Sequence, residues 1–290
     1  MLLGFEDYSA QSRRLAEALE LPLHIIELHR FPDGESRIRL PPALPERVVI
    51  CRSLDRPNEK LVELLLAART ARELGAKSLT LVAPYLCYMR QDKAFYPGEA
   101  VSQVIVGRLL AELFDNLVTV DPHLHRVHDL RQAVPAASAL ALTASGLMAE
   151  FLPGKVDDPV LLGPDEESEQ WVRSVAFPNR WRYGACSKIR LGDESVEIKL
   201  PGIDLRNRNV VLVDDVASSG QTLLAAARLC LERQASQVDV LVTHALFLGD
   251  AERQLKQAGV RNLWSTDSVT HGSNAIPLFG LLAEAISSLA

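Results

Sequence analysis

The chain contains no apolar run of the ~18 residues that a membrane-spanning helix requires. Its first residues, Met1-Leu2-Leu3-Gly4-Phe5-Glu6-Asp7, lack both the basic region and the long apolar region of a secretion signal. Neither membrane insertion nor export is expected. Cysteine is scarce: Cys51, Cys87, Cys186 and Cys230 are scattered without a C-x-x-C pair, which argues against a disulfide scaffold. Buried thiols in a reducing cytoplasm are the expectation. Positive charge is in deficit, with a net charge of -6, so no bulk attraction to nucleic acid is expected and any phosphate site must be built locally. Also absent are G-x-x-x-x-G-K-[ST], G-x-G-x-x-G and the protein-kinase motif set, which disfavours nucleotide binding of those kinds.

What is present is ordinary globular sequence. Hydrophobic residues at 48% and charged residues at 23% of 290 positions suit two domains, each with its own core. Apolar runs of strand length alternate with helical stretches. Val48-Val49-Ile50 precedes a helix from about Pro57, the strand Ser78 to Ala83 follows, and a helix from Ser102 to Phe114 leads to Leu117-Val118-Thr119-Val120. In the second half Val160-Leu161-Leu162, Val210 to Val213, Val238 to Thr243 and Leu263-Trp264 alternate with helices near 166–175, 221–233 and 250–258. This rhythm predicts an α/β fold with mainly parallel sheets covered on both faces.

The halves also repeat weakly: Ala67 to Glu73 lies over Ala226 to Glu232 without a gap, which sets Leu79 over Val238. The boundary is expected in the Ala-rich stretch from Ala133 to Ala144. Domains are therefore expected at 1–142 and 143–275, with a terminal helix in 276–290 returning to the first domain.

The sharpest local signal is Val210-Val211-Leu212-Val213-Asp214-Asp215-Val216-Ala217-Ser218-Ser219-Gly220-Gln221-Thr222, running straight into an apolar helix. A buried strand ends in two carboxylates, and small hydroxyl residues open the helix. The N–H groups and positive dipole end of that helix suit a phosphomonoester, while the carboxylates suit sugar hydroxyls or a metal. An acidic strand end with a Ser cap is the plainer alternative.

This loop resembles the phosphoribosyl-diphosphate loop of type I phosphoribosyltransferases. Four further segments narrow the likeness: Phe31-Pro32-Asp33-Gly34-Glu35, Pro84 to Lys93, Pro97 to Ser102, and Val120-Asp121-Pro122-His123. Together they resemble the ribose-phosphate pyrophosphokinase (PRPP synthetase) family over nearly the whole chain. The resemblance implies two phosphoribosyltransferase-like, Rossmann-like domains. It also implies transfer of the diphosphoryl group of Mg-ATP to the 1-hydroxyl of ribose 5-phosphate, giving PRPP and AMP.

The resemblance further implies site roles. Lys188 and Arg190 match the catalytic Lys-x-Arg, which would stabilise the transition state. Phe31, Asp33 and Glu35 match a loop that packs against the adenine of ATP held mainly by a neighbouring subunit, and Arg90, Gln91, Asp92 and Lys93 match the other side of the nucleotide. Asp214, Asp215, Ser218, Ser219, Gly220, Gln221 and Thr222 match the ribose 5-phosphate loop. His123 and Asp165 match residues that approach Mg2+, whereas His125 and His128 are expected to be second-tier or surface residues. A shared ATP site implies a homo-oligomer, at least a dimer.

Two departures stand out. Ser218 and Gln221 replace an Asp and a Gly of the family loop, and Glu166-Glu167-Ser168 follows Asp165 where many members have a Gly pair. The altered loop leaves room for a non-catalytic or regulatory paralogue, and the loop alone also permits a salvage phosphoribosyltransferase.

Overall fold

The computed structural model describes residues 1–124, 129–190 and 196–289, the side chains of 188–190, 196 and 197 excepted. The chain divides into two compact units, one of residues 1–142, 268–270 and 278–290, the other of 143–267 and 271–277.

The first unit runs β1 (Leu2–Gly4), α1 (Ser9–Ala18), β2 (Leu23–Ile25), β3 (Glu27–Arg30), β4 (Ser36–Arg39), β5 (Arg47–Cys51), α2 (Pro57–Glu73), β6 (Ser78–Val82), α3 (Ser102–Leu113), β7 (Asn116–Val120), α4 (Leu130–Ala133) and β8 (Ser138–Leu142). Its sheet has the order β2-β1-β5-β6-β7-β8, parallel throughout. Strands covered on both faces need continuous apolar runs, and Val48 to Cys51 are all buried for that reason. Helix α2 opens with Pro57, whose missing N–H costs nothing in a first turn. It buries Lys60, Glu63, Leu64, Ala67, Ala68 and Ala71, an i, i+3, i+4 stripe whose first two members are charged.

The second unit runs α5 (Ser145–Phe151), β9 (Val160–Gly163), α6 (Glu169–Ala176), β10 (Arg182–Ala185), β11 (Ser187–Arg190), β12 (Val196–Lys199), β13 (Asn209–Ala217), α7 (Gln221–Glu232), β14 (Gln237–Ala245), α8 (Ala251–Gln257), β15 (Val260–Thr266) and β16 (Asn274–Ile276). Its sheet, β10-β9-β13-β14-β15-β16, is again parallel throughout. Helix α9 (Phe279–Ser287) packs on α1 and β7 in the first unit.

Both sheets share one strand order, and each unit carries an antiparallel hairpin after its second strand: β3–β4 in one, β11–β12 in the other. The expected parallel α/β architecture and the repeat are present. Val48 pairs with Leu79 and Val210 with Val238, so with Leu79 set over Val238 the two strands superpose in register. Counting on from there, Arg52 and Ser53 stand where the second unit has Asp214 and Asp215.

The boundary between the units, at 142/143, falls inside the Ala-rich stretch 133–144, which ends α4 and contains β8, whose Ala139 is buried. Two details differ from the sequence reading. The helix expected from 166 starts as a 3-10 turn over Glu166–Ser168. The helix expected from 250 starts at Ala251, beyond a left-handed Gly249.

Candidate active site

In the second unit, β13 carries its apolar run to Val213 and then presents Asp214, half-buried, and Asp215, 3% exposed. The Asp215 N–H donates to Asp214 Oδ1 at 3.0 Å. Burial pushes the Asp214 carboxyl well above the usual carboxylate range, and the charges of Asp215 and then Asp165 push it further. These three carboxylates therefore share one electrostatic neighbourhood.

The loop beyond is held by its backbone. The carbonyl of Ala217 accepts from Leu246 (3.0 Å) and Phe247 (2.9 Å), and that of Ser218 accepts from Leu248 (2.9 Å). Gly220 sits at φ +70°, and a Cβ there would lie 3.1 Å from Ala251 Cβ, so only glycine fits without strain. Its carbonyl accepts from Leu224 (2.8 Å), which starts α7 and leaves the N–H groups of the first turn without intrahelical acceptors. Ser219 and Gln221 are exposed, while Ser218 and Thr222 are half-buried. Gln221 Nε2 donates to Gln254 Oε1 on α8 (3.2 Å), so the side chain that departs from the family pattern is tied to a neighbouring helix.

Asp165 follows β9 directly. Ser168 Oγ donates to the Asp165 carbonyl (2.6 Å) and accepts from the Asp165 N–H (3.4 Å), closing a tight turn. A Cβ on Gly163 would come within 2.2 Å of Ser168 Oγ, which explains the glycine at the strand end. Lys188 and Arg190 lie on β11, in backbone register with Ile198 and Val196 of β12.

In the first unit, Phe31, Asp33 and Glu35 occupy the exposed tip of hairpin β3–β4. Phe31 N–H donates to the Glu35 carbonyl (2.8 Å), Gly34 N–H to the Phe31 carbonyl (2.9 Å), and Asp33 Oδ1 accepts from the Glu35 N–H (3.1 Å). Phe31 is 40% exposed and meets the His29 ring edge-on, 4.7 Å between centroids. Arg90 and Lys93 are exposed, and Gln91 and Asp92 half-buried. Gln91 Oε1 accepts from Ser102 Oγ (2.8 Å), which fixes the orientation of its amide. Lys93 lies over the Phe95 ring, 4.6 Å from its centroid.

His123 is half-buried just beyond β7. His125 and His128 lie outside the described residues. Among the described residues no three His, Cys, Asp or Glu side chains form a metal cage by themselves. All four cysteines are buried and none is in a disulfide; burial pushes Cys87 and Cys230 to about 12 and Cys186 to about 11, so these three are not nucleophiles at neutral pH.

Sequence reasoning missed three supporting groups in the first unit. Ser102 fixes Gln91, Glu99 Oε2 accepts the Phe95 (2.6 Å) and Tyr96 (3.1 Å) N–H groups, and Glu63 sits beneath the hairpin. A carboxylate inside an apolar helical stripe was the available signal for Glu63.

Residues 1–115 match the N-terminal domain of ribose phosphate pyrophosphokinase, and residues 138–272 match the phosphoribosyl transferase domain. The ribose-phosphate pyrophosphokinase of Methanopyrus kandleri is 37% identical over 280 residues, covering 96% of this chain and 95% of its own. That of Saccharolobus solfataricus is 32% identical over 286 residues, covering 93% of each. The crystal structure of phosphoribosylpyrophosphate synthetase from Mycobacterium smegmatis shares the fold, with a TM-score of 0.84 over 100% of this chain and 98% of that one, at 21% identity. With both units matched in chain order and the likeness running nearly end to end, this chain belongs to the ribose-phosphate pyrophosphokinase family of enzymes.

Proposed function

We propose that the protein transfers the diphosphoryl group of ATP to ribose 5-phosphate. The sugar O1 bonds to the β-phosphorus while the bond from that phosphorus to the oxygen bridging the α-phosphate breaks. AMP leaves with that oxygen, and the hydroxyl proton is released. Positioning and charge stabilisation supply most of the rate in such a transfer.

The observation that carries this reading is the acidic end of β13 passing through Gly220 into the N-terminus of α7. The 5-phosphate is received by the N–H groups of that helix start with the hydroxyls of Ser218, Ser219 and Thr222. Asp214 and Asp215 accept from the ribose hydroxyls. Gln221 acts only through its backbone, since its side chain is engaged with Gln254. Lys188 and Arg190, on their hairpin, supply cations to the charge that develops on the transferring group.

On the ATP side, Phe31 stacks on the adenine and the carboxylates of Asp33 and Glu35 accept from its amino group. Arg90 and the amide of Gln91 hold the nucleotide, with Asp92 and Lys93 orienting them. The adenine belongs to ATP bound by a neighbouring subunit, so the active form is at least a dimer.

The donor set fits Mg2+. Burial first, and then the charges of Asp215 and Asp165, hold the Asp214 carboxyl above its usual range, and a hard cation taking oxygen ligands would offset that repulsion. Asp165, in the second unit, would hold it, with water and phosphate oxygens completing its shell. When bound, the metal neutralises phosphate charge. Among the described residues no helix is long and apolar enough to cross a membrane. The free buried thiols suit a reducing, cytoplasmic setting.

The test is AMP release from Mg-ATP with and without ribose 5-phosphate. Release that depends on the sugar phosphate supports the reading, and no release in its presence overturns it.

A further inference from the structure

We propose that Glu63 is a positioning residue that clamps the root of hairpin β3–β4 and thereby sets the affinity for the nucleotide base. The inference rests on the reading of Phe31, Asp33 and Glu35 as the adenine-facing tip.

The hairpin has little else to hold it. Most residues of β3 and β4 are exposed or half-buried, and Ile38 is its only described side chain packed against the core cluster. Two short strands with so few apolar contacts are marginal by themselves. Glu63 supplies what the apolar contacts do not.

Its Oε1 accepts from Arg30 Nε at 3.1 Å and from Ser36 Oγ at 3.2 Å. Arg30 and Ser36 are cross-strand partners, the last rung before the turn. One carboxylate oxygen therefore grips both strands where the tip begins. On its other side, Oε2 lies 2.6 Å from Arg52 Nη2, with both side chains 1% exposed. Arg52 is in turn seated over the Phe5 ring, 3.9 Å from its centroid, and reaches Asp7 at 3.3 Å.

A buried carboxylate is tolerated when cations and donors satisfy it, and Glu63 has both. Neutralising Arg52 alone needs only one oxygen. The second oxygen is committed to the hairpin, and the exposed Arg30–Glu59 pair at 3.1 Å adds little beside it.

Removing Glu63 takes the buried partner away from Arg52 and puts the fold of the unit at stake, so the deciding variant is Arg30→Met with Ser36→Ala. It strips the hairpin side and keeps the Glu63–Arg52 pair. The expected result is an ATP KM raised about tenfold with kcat and the ribose 5-phosphate KM within about twofold of wild type. Trypsin cleavage after Arg37 should also accelerate at least about fivefold, because the hairpin opens locally without global unfolding. Adding Phe31→Ala to this variant should raise the ATP KM little further than Phe31→Ala alone, as two changes to one device are not additive.

An unchanged ATP KM and unchanged cleavage in the Arg30→Met, Ser36→Ala protein overturn the clamp. Full additivity with Phe31→Ala overturns its action through the tip. If Phe31→Ala by itself leaves the ATP KM at the wild-type value, the adenine reading of the tip fails instead, and accelerated cleavage still supports the mechanical clamp.

Discussion

The backbone N–H of Asp215 holds Asp214 Oδ1 at 3.0 Å, so a carboxylate that burial drives toward its protonated form is nonetheless fixed in direction. Site geometry is bought there at the expense of folding stability.

That relationship gives a pH prediction. Folded Asp214 keeps its proton to higher pH than the unfolded chain, whose Asp titrates near about 4. Between those two values the folded state binds more protons, so the Asp214 contribution to stability falls as pH rises and stays low above the raised pKa. Asp214→Asn should therefore raise the melting temperature at pH 7 relative to pH 4.5, compared with wild type, while ribose 5-phosphate protection declines. A melting difference between variant and wild type that fails to rise from pH 4.5 to pH 7 would reverse the sign assigned to Asp214.

Gly220→Ala tests the turn into α7. A side chain in the left-handed region costs roughly 1–2 kcal/mol, and its Cβ would crowd Ala251 at 3.1 Å. Denaturant melts should show at least that loss, with weaker ribose 5-phosphate protection. An equally stable variant would mean the loop readily takes another backbone path.

Thr222→Val keeps shape and deletes a hydroxyl. If that hydroxyl donates to the 5-phosphate, the heat protection given by ribose 5-phosphate should fall while protection by ATP persists. A ligand at a hundredfold excess over Kd stabilises by about 2.7 kcal/mol, enough for a clear melting shift in wild type. Retained protection would remove Thr222 from the phosphate site.

Lys188→Ala should lower kcat by roughly 10² to 10⁴ with much smaller changes in KM, since its ammonium acts on charge that develops in the transition state. Steady-state kinetics with ATP varied at saturating ribose 5-phosphate make the comparison. Wild-type turnover would exclude Lys188 from the chemistry.

The layered core was legible because its strands are apolar runs and its helices carry clear starts. Val210 to Val213 reads as a central strand from composition alone, and Pro57 marks the first turn of α2. The hairpins were not legible as hairpins. Glu27-Leu28-His29-Arg30 and Ser36-Arg37-Ile38-Arg39 alternate on a ribbon with no core run, so only the turn at Pro32-Asp33-Gly34 announced itself. The proximity of Asp165 to Asp214 depends on β9 pairing with β13, a long-range neighbour that no local pattern encodes. Gln221 was noticed as a departure, but its bond to Gln254 follows from how α7 and α8 pack.

Arg52 standing in the register position of Asp214 bears on how freely the two units could be exchanged. A chimera made of two second units would carry two acidic strand ends and no seat for Glu63. One made of two first units would carry two buried ion pairs and no strand-end carboxylates to meet a sugar. Placing Asp at position 52 would bring a new carboxylate against Glu63 and Asp7 and remove the cation they share. The common strand order is thus interchangeable in backbone but not in charge, and a shuffled gene would have to exchange positions 52 and 63 together to fold.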